Sequence, residues 1–130
     1  MLLLKIFLSL GLFTDYATLI NQEYSKVPNI KNLKTNYPKE GTWVKIPKGA
    51  KIVTLQVEAE NTETVLFWII PTGTQTWTER KLIGYDIKEG ENDTNFSLTW
   101  KINKPYLHDH IYIQALGDGI ANELINLSMN

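Results

Sequence analysis

Two histidines stand two residues apart in the stretch His108-Asp109-His110, and the chain holds two histidines in all. On an extended backbone, side chains two apart point to the same side, so one metal ion could be bridged by both imidazoles. A stable site needs a third and a fourth ligand, and none is adjacent. The expectation is a polar surface stretch, with His110 at the start of a strand. Oxygen ligands gather in KEGENDT, where Glu89, Glu91 and Asp93 could face a calcium ion. The spacing lacks the full calcium-loop pattern, and a solvated turn is the simpler reading. No metal and no cofactor is expected.

Nucleophilic catalysis would need a serine or threonine beside a histidine and an acid. No G-x-S-x-G elbow, H-E-x-x-H pair or phosphate-cradling glycine loop occurs. Carboxylates for glycoside cleavage could come from Glu58, Glu60, Glu63, Asp86 or Glu89, but acids at strand ends are commonplace. The chain has no cysteine, which removes thiolate nucleophiles, thiolate metal ligands and disulfides. These absences read as a protein that is not an enzyme, with no catalytic residue to name.

The aromatic residues are the better lead. Trp77, Tyr85 and Tyr112 fall in or near positions that should face outward. Trp77 and Tyr85 flank TERKLIG, read as a loop across which the two rings could approach each other. A flat aromatic pair can stack on a sugar ring or anchor a protein partner. Against this stands a plainer role for Trp77: a plug folded back over the edge of the fold.

These residues need a frame. At 130 residues there is room for one domain and an N-terminal extra. Hydrophobic residues make up 43% of the chain, enough for a core. Net charge is −1 with acids and bases interspersed, which argues against a nucleic-acid partner, since that needs a basic stripe. The start, MLLLKIFLSLGLF, is an apolar run with one charge, Lys5. It has the length of a secretory signal, so residues 1–20 are read as signal-like or as an uncleaved membrane anchor. Residues 21–42 are polar, hold two prolines and read as a lead-in.

From Trp43 onward short apolar runs alternate with turn residues. KIVTLQVEAE places Val53, Leu55, Val57 and Ala59 on one face. FSLTWKI places Phe96, Leu98, Trp100 and Ile102 inward, and HIYIQALG does so with Ile111, Ile113 and Ala115. VLFWII is apolar on both faces, as a central strand covered on both sides would be, or one whose outer face meets another surface. ELINLSM is a last short strand, with no charge after Glu123, and reads as an unprotected edge open to strand addition. The rhythm predicts an all-β, two-sheet sandwich of about seven strands over residues 43–130.

The ordered set resembles an immunoglobulin-like or fibronectin type III-like sandwich, in the disulfide-free form found on bacterial surface and secreted proteins. The resemblance implies that KIVTLQVEAE is strand B, VLFWII strand C, FSLTWKI strand E, HIYIQAL strand F and ELINLSM strand G. It implies a core indole at Trp68, spaced after Leu55 much as the family's tryptophan follows its first cysteine. Ile113 stands at the second cysteine position, and Ile111 where a corner tyrosine is expected. Trp68→Ala is then the expected worst single change. The functional expectation is an exported, non-enzymatic interaction or spacer module, secreted or at a bacterial cell surface, with an unknown protein or glycan as partner. The alternative is a carbohydrate-binding module using Trp77 and Tyr85.

Overall fold

The computed structural model describes residues 26–72 and 77–129, Trp77 by its backbone alone. The apolar segment 1–20 lies outside the described residues. The fold is all-β, as expected, and has nine strands where about seven were expected. They are β1 (Asn29–Thr35), β2 (Lys39–Glu40), β3 (Trp43–Ile46), β4 (Ile52–Glu60), β5 (Thr62–Pro71), β6 (Lys81–Ile87), β7 (Asn95–Lys101), β8 (His108–Gly117) and β9 (Ile120–Met129). A 3-10 turn spans Trp77–Glu79. One sheet has the order β1-β4-β7, the other β2-β3-β9-β8-β5-β6.

The core lies between the two sheets. Val53, Leu55, Val57 and Ala59 of β4 face Val65, Phe67 and Ile69 of β5 and Ile111, Ile113 and Ala115 of β8 across it, and all are buried. Alternation places these residues there, because each strand turns every second side chain inward. Phe96 and Trp100 of β7 close one side, and Val44, Ile46, Ile125 and Leu127 close the other.

Three local readings are corrected. The core aromatic of β5 is Phe67, fully buried and paired with Ile113, while Trp68 points to the outer face and is only half-buried. Parity along VLFWII was undecidable from hydropathy, since both faces are apolar. The stretch TERKLIG is not a loop: it forms the end of the 3-10 turn and the first half of β6. Finally, β9 is no edge strand. It pairs with β8 along most of its length, and with β3, in parallel, from Asn126 to Met129.

The strands β1 and β2 lie within the polar stretch 21–42. β1 hides its apolar period because a register shift between Ile30 and Asn32 lets Ile30 and Leu33 both pack on the core, three positions apart. Among the described residues no helix is long and apolar enough to cross a membrane.

Candidate functional site: the outer face of the six-stranded sheet

The outer sides of the two sheets differ in chemistry. On the three-stranded sheet the register aligns Asn32, Glu58 and Asn95 in one row and Lys34, Gln56 and Ser97 in the next. That is an ordinary solvated face, polar and charged. The six-stranded sheet is built otherwise. Ile87, Thr64, Leu116 and Ile120 form one row across β6, β5, β8 and β9. Tyr85, Leu66, Gln114 and Asn122 form the next, and Leu82, Trp68, Tyr112 and Leu124 a third. A fourth row holds Ile70, His110, Asn126, Trp43 on β3 and Glu40 on β2. Glu40, at the β2 edge, is the one charged residue at these positions.

Exposure follows the same division. Eight large hydrophobic side chains are exposed among the described residues, and five of them, Leu82, Tyr85, Ile87, Ile120 and Leu124, stand in these rows. Single exposed apolar residues are normal; a contiguous set is the informative case.

The polar atoms on this face are largely paired with each other. The Trp68 indole N–H donates to Gln114 Oε1 at 2.7 Å, and the Arg80 guanidinium lies over the Trp68 ring, 4.5 Å from its centroid. Asn126 Nδ2 donates to the Thr42 carbonyl at 3.0 Å, which turns Asn126 Oδ1 toward His110 Nδ1, 2.6 Å away. A carbonyl oxygen only accepts, so the His110 proton sits on Nδ1, and Nε2 faces the Thr72 hydroxyl at 3.5 Å. The Trp43 indole reaches across β9 and stacks on His108, with centroids 4.4 Å apart and planes 12° apart, and lies 5.9 Å from His110. Tyr106 flanks His108 at 6.4 Å.

The residues singled out from sequence separate here. Tyr85 and Tyr112 both stand on this face, in neighbouring rows and two strands apart. Trp77 enters through its backbone in the 3-10 turn, and its side chain lies outside the described part. The histidines do point to one side, from the start of strand β8 and not from a loop. Asp109 between them points inward, is 4% exposed and is ion-paired with Lys104. No group of three histidine, cysteine, aspartate or glutamate side chains that could hold a metal occurs among the described residues. Asp93 takes a structural part: its carboxylate accepts the backbone N–H of Asn95 at 3.0 Å and that of Glu89 at 3.1 Å. These bonds, Asn95's foremost, hold its pKa below the usual carboxylate value. Of the other acids, Glu60 pairs loosely with Lys31 at 3.9 Å, Glu63 with Lys88 at 3.1 Å, and Asp86 accepts the Ser97 N–H at 2.8 Å.

Sequence reading missed Trp43, Trp68 and the apolar side chains of β6 as parts of one surface. The available signal was the unbroken apolarity of VLFWII, which requires cover on both sides.

No protein-family model matches the chain, and no curated protein matches it. Solved structures do share its fold. A superoxide reductase (neelaredoxin) from Ignicoccus hospitalis superposes with a TM-score of 0.52 at 12% identity, covering 80% of each chain. A second structure of that protein gives 0.50 at 14% identity, over 80% of this chain and 85% of the other. A chain from the structure on T cell specificity and activation by the bacterial superantigen toxic shock syndrome toxin-1 gives 0.52 at 12% identity, over 78% of this chain and all of that one. At these identities the likeness carries the fold alone. It nevertheless corrects one expectation. The absent motifs read as a protein that is not an enzyme, yet superoxide reductases have this fold.

Proposed function

We propose that the protein is an interaction module of immunoglobulin-like type, exported to a bacterial surface, and that it docks a protein partner on the outer face of its six-stranded sheet. One observation carries this reading: across β5, β8 and β9 four successive rows of that face hold no aspartate, glutamate, lysine or arginine, with Arg80 lying over Trp68 and Glu40 standing beside Trp43 at the β2 edge, whereas the opposite sheet is polar and charged. Protein interfaces have that composition at their centres, rich in tryptophan and tyrosine and poor in lysine and glutamate, with arginine tolerated as Arg80 is here. The internal pairing of Trp68, His110 and Asn126 supports the same conclusion, because a polar group already bonded within the chain loses little when water leaves.

The strand order supports the immunoglobulin-like assignment: a three-stranded β1-β4-β7 sheet faces a sheet in which β3 runs parallel to β9. The signal-like residues 1–20 and the lack of cysteine support export. A photo-crosslinking amino acid at Tyr85, with Thr99 on the opposite sheet as reference, tests the face in the cells that make the protein. The reading expects protein adducts at Tyr85 and none at Thr99; equal labelling, or none at either, defeats it. A second reading, glycan binding, draws on the bare ring of Tyr85, which is 61% exposed. Glycan-array binding abolished by Tyr85→Ala, with the fold intact, would favour it.

A further inference from the structure

The geometry points to a second docking element, the free edge of β9 over residues 120–125, which takes an extended, acidic segment of a partner protein as an added strand. This goes beyond the docking on the outer face and concerns the rim of that face. Strand β9 is enclosed where β3 pairs with it, from Asn126 to Met129. Before that point β8 is its one neighbouring strand among the described residues. Six residues, about 20 Å of strand, therefore hold backbone N–H and C=O groups that point away from β8 with no strand beyond them.

The other strands at sheet edges are guarded. β1 carries a register shift between Ile30 and Asn32 and two lysines, Lys31 and Lys34. β6 carries a register shift opposite Phe67 and Trp68 and opens with Lys81. On β7 the Ser97 N–H is taken by the Asp86 carboxylate. β2 is two residues long. Bulges, lysines and short length are common means of keeping a second chain off an edge. Residues 120–125, IANELI, have no lysine, no proline and no register shift. An edge left open where the others are closed is fit to pair with a strand from outside.

The surroundings select the segment. A groove runs between this edge and β1 of the other sheet, lined by Lys31, Lys34 and Lys39 against one acid, Glu123. Lys31 is shared loosely with Glu60, at 3.9 Å, and Glu40, next to Lys39, stands in the outer row with Trp43. Lys34 and Lys39 make no ion pair among the described residues. The groove thus carries net positive charge and favours carboxylates. On the outer side of the same edge Ile120 and Leu124 are exposed, at 58% and 51%, where apolar cross-strand neighbours would cover them. A strand turns successive side chains to opposite faces. One segment that alternates apolar and acidic residues therefore meets both demands.

Peptide binding to the full chain, followed by amide NMR and hydrogen exchange, tests this. The probe is a seven-residue peptide alternating valine and glutamate. It should bind saturably and slow exchange at those amides of residues 120–125 that point away from β8. The same peptide with lysine for glutamate should bind at least tenfold more weakly. A fully N-methylated copy, which has no N–H to give, should not bind. Lys34 and Lys39 are exposed, so Lys34→Glu with Lys39→Glu leaves the fold in place and should reverse the preference between the acidic and the basic peptide. No binding of the acidic peptide at millimolar concentration, equal binding of the two peptides, or binding that leaves residues 120–125 unchanged would overturn the proposal. So would slow exchange at these amides before any peptide is added, since the chain itself would then cover the edge. Crosslinking at Tyr85 reads the face and not the edge, so each reading can fail alone.

Discussion

Phe67 and Trp68 are neighbours in sequence with opposite fates. Phe67 is fully enclosed between the sheets, so Phe67→Ala should cost about 3–5 kcal/mol through lost burial and an unfilled cavity. Trp68 keeps part of its ring in water, and Trp68→Ala should cost about 1–2 kcal/mol. Chemical denaturation of both variants orders them; a larger loss at Trp68 would mean that the strand's parity is reversed. Lys104 guards a second buried group. Lys104→Met leaves the inward Asp109 carboxylate without its cation, and because Lys104 itself is about a third exposed the loss should be about 1–3 kcal/mol. Thermal melting at neutral pH reads this directly. Asp93 acts through pH. Its carboxyl is held below the usual range by the N–H groups of Asn95 and Glu89, so its bonds are intact above the ordinary carboxylate pKa. They are lost only as the pH falls through the lowered folded value. Carbon-detected NMR titration should show Asp93 titrating below its counterpart in the unfolded chain, with the amides of Asn95 and Glu89 moving in step.

At the scale of the element, β6 explains both the shape of the sandwich and the limits of reading it from sequence. Its alternation is inverted: Leu82, Tyr85 and Ile87 face outward, while Gly84 and Asp86 face the other sheet. Gly84 has Leu98 where a side chain would go, and Asp86 accepts the Ser97 amide of β7, so the two sheets approach closely at this corner. A pattern that expects apolar residues inside passes over such a strand, and its first half, KLIG, falls in the stretch TERKLIG that reads as a loop. The strands β4, β7 and β8 were legible because one face of each is apolar and the other polar. Trp68 was not, because hydropathy cannot orient a strand that is apolar on both sides. The β8–β9 hairpin offers a test of close packing. A Cβ on Gly117 would run into the Asn61 backbone carbonyl, whereas one on Gly119 meets Val27 and Pro28 at ordinary contact distance. Asn61 itself sits in the left-handed region at φ 55°, in the turn between β4 and β5, and cannot easily move aside. Gly117→Ala should therefore destabilise by about 1–3 kcal/mol and Gly119→Ala by much less.

On the scale of the whole molecule, the two sheets enclose one core and present two unlike surfaces. Charge statistics over the chain conceal this, since acids and bases are nearly balanced overall and sorted only by the pairing of strands. Tyr85 and Tyr112 could be named from sequence as outward aromatics. That they share a face with Trp68, Trp43 and Leu124 depends on which strands pair and in which register, and that is long-range information. The face is also why the run VLFWII is apolar throughout: Val65, Phe67 and Ile69 serve the core, while Leu66 and Trp68 serve the outer surface.

Leu82 and Ile52 allow this account to be tested with matched side chains. Both are aliphatic and similarly exposed in the single chain, at 43% and 41%, but they stand on opposite sheets. Hydroxyl-radical footprinting of the protein in the cells that make it, scaled to each residue's rate in the unfolded chain, should find Leu82 strongly protected, along with Tyr85 and Leu124, and Ile52 freely oxidised. Equal oxidation of Leu82 and Ile52 would contradict the assignment of the six-stranded face as the surface on which this protein works.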